Sequence, residues 1–150
     1  MSVAGKVAIR TQATPGYSGK PLWIKLGLKP GMRVLLRDAP HDYWDLCGFD
    51  RTGVSLAGTR QAFDFGHVFA GKRAALARAL EIATGRLDAA GMLWLSWPKK
   101  SAGVTTDLTE DTLRELALPL GLVDVKVCAV TDIWSGLKFV WRKQLRAAHK

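Results

Sequence analysis

Apolar and polar positions follow two different periods along this chain. Over residues 72–84 the apolar side chains recur at helical spacing among five alanines, which predicts a helix that Gly85 closes. Residues 123–130 alternate and are rich in β-branched side chains, which predicts a strand. Short apolar runs predict further strands at 32–36, 54–56, 62–69, 92–97 and 137–142. Helical and extended segments therefore alternate along most of the chain.

Turn and capping residues complete the predicted order of elements. A short helix has Pro21 in its first turn and Gly27 at its end, and residues 41–48 form another. Residues 107–110 have the spacing of a capping box and begin a helix that runs to about residue 118. Residues 131–136 turn the last two strands into a hairpin. The order predicts a doubly wound, mostly parallel, Rossmann-like α/β sheet that ends in an antiparallel hairpin.

Composition adds a domain count and excludes several classes. A chain of 150 residues with 48% apolar residues predicts one domain at 16–142, a loose lead at 1–15 and a basic tail at 143–150. No apolar run is long enough for a membrane span, and no apolar segment follows the first basic residues as in a secretory signal. Cys47 and Cys128 have no C-x-x-C spacing, which favours reduced thiols in a cytoplasmic protein. The three histidines are too widely spread for a metal site.

The net charge of +9 comes from the two ends of the chain. Residues 1–37 carry seven basic side chains and residues 133–150 carry five, and neither stretch has an acidic one. Such ends could bind nucleic acid, or they could simply be solvated segments.

Three segments resemble class I S-adenosylmethionine-dependent methyltransferases. Residues 28–35 (LKPGMRVL) are similar to the lead into that family's first strand, and residues 91–96 (GMLWLS) are similar to its fifth. Residues 113–125 are similar to its last helix and the strand that follows. The resemblance implies a methyltransferase-like fold.

A second resemblance covers residues 16 to about 142. The segments 16–22 (GYSGKPL), 96–101 (SWPKKS) and 134–138 (WSGLK) resemble an uncharacterised bacterial family catalogued as domain of unknown function 3052. This resemblance implies the fold and a bacterial origin, and it implies no activity.

The features that hold S-adenosylmethionine in methyltransferases are absent from the sequence. Asp38 and Pro40 stand where the glycine-rich cofactor loop should follow the first strand. The carboxylate expected after the second strand is missing, since residues 51–63 contain no acid. A phosphate-binding loop and a nucleophile elbow are also absent. We therefore expect no cofactor and a non-catalytic domain, with a divergent methyltransferase that grips its cofactor through Asp38 or Asp64 as the alternative.

Candidate ligand-binding residues lie where the predicted strands end, because ligands bind at the carboxyl edge of such sheets. The loop 98–106 carries lysines and hydroxyls and leads into a helix, which favours an anion site, while a solvated loop in which Asp107 caps the helix is the alternative. The partner would be an anionic small molecule or a protein. The candidate residues are Asp38, Tyr43, Ser96, Trp97, Lys99, Lys100, Ser101, Thr105 and Thr106, with Lys72 nearby.

Aromatic residues and the glycine-rich segment give the remaining predictions. Tyr17, Ser18 and Lys20 form a candidate lid. His67 should share a strand face with Phe63, Phe65 and Phe69, which favours a satisfied core histidine over a catalytic base. Trp94 is predicted in the core. Trp97 and Trp134 are predicted to pack, with a stacking surface as the alternative.

Overall fold

A computed structural model describes residues 19–147. Ten regular elements follow one another in the predicted order, joined by short 3₁₀ turns. They are α1 (Leu22–Leu26), β1 (Arg33–Arg37), α2 (Tyr43–Cys47), β2 (Ser55–Leu56), β3 (Phe63–Phe69), α3 (Arg73–Thr84), β4 (Leu87–Pro98), α4 (Glu110–Ala117), β5 (Leu122–Ala129) and β6 (Trp134–Trp141).

The strands form one six-stranded sheet in the order β2-β1-β3-β4-β6-β5. β1 pairs in parallel with β2 and β3, and β3 pairs in parallel with β4. β6 runs antiparallel to both β4 and β5, so that β5 points the same way as the parallel strands. The predicted mostly parallel sheet with a closing hairpin is confirmed. Among the described residues, no helix is long and apolar enough to cross a membrane.

Each face of the sheet carries its own apolar core. Helices α3 and α4 cover one face, where Leu76, Leu80 and Leu113 are fully buried. Helices α1 and α2 cover the other face around Trp94, whose indole N–H donates to the Leu26 carbonyl oxygen at the end of α1 (2.8 Å). We refer to these as the α3–α4 face and the α1–α2 face. The predicted core position of Trp94 is confirmed.

The predicted capping box at residues 107–110 is wrong. Helix α4 begins at Glu110, and its N-cap is Thr109, whose hydroxyl accepts from the Thr112 amide (3.2 Å). The Asp107 carboxylate instead accepts from the Arg73 amide (2.7 Å) at the start of α3. Asp107 therefore caps a helix that lies 34 residues earlier in the chain, because α3 and α4 pack side by side.

Two strands extend beyond their predicted bounds. β6 begins at Trp134, so residues 134–136 belong to the strand rather than to the turn. β4 begins at Leu87, and Gly91 lies inside it at an irregularity of the ladder with β3. A side chain at Gly91 would meet the Leu87 side chain at 2.8 Å and the Asp64 carbonyl oxygen at 3.0 Å. Glycine is therefore needed for this close approach of backbones.

The same irregularity changes the face of one aromatic residue. Phe63 packs in the core of the α3–α4 face, whereas Phe65 and Phe69 pack on the α1–α2 face with His67. The predicted grouping of Phe63 with them is wrong, because the ladder register shifts between Phe63 and Phe65.

The first residues of the predicted basic tail lie against the domain. Residues 143–145 form a 3₁₀ turn, and Leu145 packs on the core of the α3–α4 face. The predicted lead at 1–15 lies outside the described residues.

Replacement of Gly66 by alanine should destabilise the protein. The added methyl group would lie 2.7 Å from the Phe63 ring and 2.8 Å from Leu93, both of which are buried. Overpacking of this kind costs about 1–3 kcal/mol of unfolding free energy, which urea denaturation measures.

Gly71→Ala is the matched control. Gly71 has open space around its Cα and a backbone outside the left-handed region. We expect its effect to stay within about 0.5 kcal/mol. Equal effects of the two substitutions would contradict the packing described for Gly66.

Candidate ligand-binding sites

The loop after β1 has an unusual backbone at Asp38. Its φ of 57° makes it the one non-glycine residue with positive φ among residues 19–147. Asp38 is exposed, and Pro40, two residues later, has no amide hydrogen. A side chain therefore stands in a conformation that favours glycine, at the place where a cofactor loop would lie.

Tyr43, His67 and Ser96 form a buried chain of hydrogen bonds. The Tyr43 hydroxyl lies 2.8 Å from His67 Nδ1, and Ser96 Oγ lies 2.7 Å from His67 Nε2. All three side chains are at most 2% exposed. The chain joins α2 to the carboxyl halves of β3 and β4, and the His67 ring also stacks on Phe69 at a centroid distance of 4.3 Å.

Burial determines the protonation states of these hydrogen-bonded side chains. Desolvation lowers the pKa of His67 to about 3, so its ring is neutral at pH 7. Desolvation likewise raises the pKa of Tyr43, and it raises the pKa of Cys47 to about 12 against a hydrogen bond from Tyr43. A neutral imidazole has one N–H and one lone pair, so one neighbouring hydroxyl donates to the ring and the other accepts from it. The interpretation of His67 as a satisfied core histidine is confirmed.

The structure brings Tyr43 and Ser96 together inside the core rather than at the surface. Trp97 is also buried, but on the α3–α4 face. Trp134 packs edge to face on Phe69 at 5.1 Å. The sequence makes Tyr43 and Ser96 candidates because they follow or end predicted strands, but it does not show how deeply they are buried.

The loop after β4, predicted as an anion site, makes hydrogen bonds to two other segments of the chain. The Lys99 amide donates to the Ile133 carbonyl oxygen (2.7 Å), and residues 100–102 form a 3₁₀ turn. The Thr106 hydroxyl donates to the Gly71 carbonyl oxygen (2.7 Å) and accepts from the Leu108 amide. The polar side chains of this loop that lie at the surface are Lys100, Ser101 and Thr105, with Lys99 half-buried.

The helix starts near this loop already have acidic partners. The first turn of α4 contains Glu110 and Asp111, and the start of α3 is capped by Asp107. These three carboxylates place negative charge at the amino ends of α3 and α4, where the helix dipole is positive. Anion binding by the loop lysines together with a helix start stays a prediction.

Asp64, the alternative cofactor ligand, lies at the opposite edge of the sheet. Its carboxylate accepts from the Arg33 amide (2.9 Å), at the amino end of β1. Lys72 is exposed after β3. Of the predicted lid, Tyr17 and Ser18 lie outside the described residues. Within those residues, no cluster of His, Cys, Asp and Glu is suited to a metal ion.

A depression of about 370 Å³ lies between α1 and β5. Basic side chains from both elements surround it, together with apolar groups and a thiol. It is lined by Lys20, Ile24, Lys25, Lys126, Val127, Cys128 and Ala129. Lys20, predicted in the lid, thus lies beside lysines that sequence reasoning did not select.

These lysines belong to a larger group, which we call the lysine cluster: Lys20, Lys25, Lys99, Lys126 and Lys138. Lys126 and Lys138 are directly opposite each other in the β5–β6 ladder. Lys126 Nζ donates to the Lys25 carbonyl oxygen near the end of α1 (2.8 Å). Among residues 19–147, no carboxylate lies within ion-pair distance of Lys20, Lys126 or Lys138.

The charges of the cluster act on one another. Desolvation lowers the pKa of Lys138, and Lys126 and Lys29 lower it further. The pKa of the Cys128 thiol is raised by burial and lowered by the nearby Lys25, Lys126 and Lys99. Like charges directly opposite in a ladder destabilise a sheet. A bound anion would relieve that repulsion.

A second depression, of about 490 Å³, lies on α4 and has a different character. It is lined by Asp111, Arg114, Glu115, Leu118 and Pro119. The Arg114 guanidinium already binds the carboxylates of Glu110, Asp111 and Asp124. The charge of Arg114 is thus paired within the chain, whereas no carboxylate among residues 19–147 pairs with Lys20, Lys126 or Lys138.

The buried imidazole should make the protein sensitive to acid. In the unfolded chain His67 has a pKa of 6.5 and binds a proton below that pH, whereas in the folded protein its pKa is about 3, so the ring stays neutral down to that pH. Stability should therefore fall as pH falls through this window, by up to about 1.4 kcal/mol per pH unit. Urea denaturation at pH 6.5 and 4.5 should show that the wild type loses about 2 kcal/mol more than His67→Gln.

The control is His41→Gln, since His41 is exposed. It should keep the pH dependence of the wild type. The same pH dependence in His67→Gln as in the wild type would contradict the buried neutral imidazole.

Solved structures with a similar arrangement of elements include several methyltransferases. A ribosomal protein L11 methylase from Lactobacillus delbrueckii subsp. bulgaricus aligns with 81% of this chain and 75% of its own, at 9% identity and a TM-score of 0.55. A methyltransferase from Pyrococcus furiosus aligns with 78% of each chain, at 14% identity and a TM-score of 0.51. A TehB-like SAM-dependent methyltransferase from Corynebacterium glutamicum aligns with 79% of this chain and 85% of its own, at 14% identity and a TM-score of 0.52.

A scan of protein-family models finds no match, and neither does a search of curated proteins. Structural likeness at these low identities shows the fold alone. The chain has the methyltransferase-like α/β fold.

Proposed function

We propose that this chain is a cytoplasmic bacterial protein that uses a methyltransferase-like fold to bind an anionic ligand, without methyl transfer. The observation that carries the proposal is the lysine cluster around the depression between α1 and β5. Membership of the family catalogued as domain of unknown function 3052 stays a prediction.

The positions of the lysines support an anion as the ligand. Lys138 faces Lys126 and is half-buried, so desolvation and repulsion both lower the pKa of Lys138. An ammonium group offers three donors to an oxyanion. An anion among these groups would turn a repulsive arrangement into an attractive one. The proposal therefore centres on Lys126 rather than on Lys100 of the predicted loop.

The residues at the carboxyl edge of the sheet do not fit S-adenosylmethionine. A Cβ stands at Asp38, where the backbone has the left-handed conformation that favours glycine, and Pro40 removes an amide donor. The residues after β2 offer no carboxylate for a ribose. This mismatch supports the non-catalytic proposal over the divergent methyltransferase, and we assign no reaction step to the cofactor.

Thermal unfolding with added ligands tests this function. Inorganic pyrophosphate at 100 times its dissociation constant adds about 2.7 kcal/mol to stability, which raises the unfolding midpoint by about 5–10 °C. We expect this rise for the wild type and not for the double variant Lys126→Gln, Lys138→Gln. S-adenosylmethionine at the same concentration should leave the midpoint unchanged.

The matched control is Arg78→Gln, which removes a charge from an exposed position on α3, across the sheet from the lysine cluster. It should respond to pyrophosphate like the wild type. If pyrophosphate still raises the unfolding midpoint of the lysine double variant, the anion binds at another place and the lysine cluster is not the site. A rise with S-adenosylmethionine would favour the divergent methyltransferase instead.

A further inference from the structure

Strand β5 lies at one edge of the sheet. Within residues 19–147 it pairs with β6 alone. At the hairpin turn the Val130 amide donates to the Trp134 carbonyl oxygen (2.9 Å). Bonded and non-bonded pairs alternate along an antiparallel ladder, so the amides of Val127 and Ala129 point away from β6. Such an edge is a template for a further strand.

The two sides of this edge differ in chemistry. Lys126 faces α1 together with Cys128, beside the depression that Lys20 also lines. Val127 points to the other face of the sheet, where it is 53% exposed, and Val125 is 54% exposed. A strand added here would thus meet ammonium groups on one side and apolar groups on the other.

We propose that the edge of β5 binds an extended acidic segment of a partner protein as an added β-strand. The inference rests on the proposed function, because it takes the carboxylates of the acidic segment as the anions that the lysine cluster binds. Successive side chains of a strand alternate in direction, so the segment should alternate acidic and apolar residues. Its acidic side chains meet Lys126 and Lys20, and its apolar ones meet Val127.

Charge disfavours the two occupants that this chain could itself supply. In an antiparallel pairing of β5 with that of a second copy, the two lysine clusters would lie on the same side of the joined sheet, where their like charges repel. Residues 1–18 contain Lys6 and Arg10 and no acidic residue. Neither occupant complements the lysine cluster, whereas an acidic segment does.

Fluorescence anisotropy with a labelled peptide tests the proposal. The probe is fluorescein-Glu-Val-Glu-Val-Glu-Val-Glu-amide, and the control is a peptide with the same label and composition that has all glutamates before all valines. We expect the alternating peptide to bind at least about tenfold more tightly, because only that order satisfies both sides of the edge. The double variant Lys20→Gln, Lys126→Gln should weaken binding about five- to twentyfold, since each exposed ion pair contributes up to about fivefold. Arg78→Gln should bind like the wild type.

Amide hydrogen exchange on the wild type tests the added strand without any substitution. The peptide should slow the exchange of the outward amides of Val127 and Ala129 by about tenfold or more, because they become hydrogen-bonded. Exchange at Leu35, inside the sheet in β1, is the internal control and should not change.

The outcomes separate this inference from the proposed function. Pyrophosphate binding without peptide binding would overturn the added strand and leave the anion site in place. Equal binding of both peptides, or unchanged exchange at Val127, would overturn it in the same way. Tighter binding of a single-stranded oligonucleotide than of the alternating peptide would replace the acidic segment by nucleic acid. Absence of binding to pyrophosphate and to both peptides would overturn both proposals.

Discussion

The burial of one histidine constrains how the α1–α2 face is built. An imidazole in an apolar core must satisfy two ring nitrogens, and an unpaired polar atom there costs about 1–3 kcal/mol. Tyr43 and Ser96 meet that need from opposite sides of His67. Space for Ser96 depends on Gly136, where a Cβ would lie 3.2 Å from its hydroxyl oxygen. The two hydrogen bonds thus connect α2 to β3 and β4 through His67, and they leave little room for a side chain at Gly136 in β6.

Charge is separated across the sheet. On the α3–α4 face, Arg114 binds three carboxylates and Arg73 binds Glu115. On the α1–α2 face, the lysine cluster gathers at the end of the sheet that β5 and β6 form. No carboxylate among residues 19–147 forms an ion pair with Lys20, Lys126 or Lys138 of that cluster. This separation, more than the net charge of the sequence, is the basis of the proposed anionic ligand.

Much of the fold follows from local signals. Gly27 adopts a φ of 82° at the end of α1, as its position after an apolar run predicts. The alanine-rich period of α3 and the alternation in β5 likewise indicate their elements, because each depends on neighbours only a few residues away. The position of the hairpin turn also predicts which lysines of β5 and β6 lie opposite each other. A turn centred on Asp132 places Lys126 and Lys138 opposite each other, but the predicted turn at 131–136 was centred too late in the chain.

The sequence by itself determined the order of helices and strands, the two-faced apolar pattern and the lack of the methyltransferase cofactor loop at Asp38 and Pro40. Tertiary structure alone decided that Asp107 caps α3, that Phe63 lies across the sheet from Phe65, and that Tyr43 and Ser96 are buried against His67. It also decided which lysines lie close together. The physical reason is the separation along the chain over which each interaction acts. Backbone propensity and side-chain period act over one or two turns, whereas a cap, a ladder irregularity or a cluster of like charges depends on segments tens of residues apart that only the packed sheet brings together.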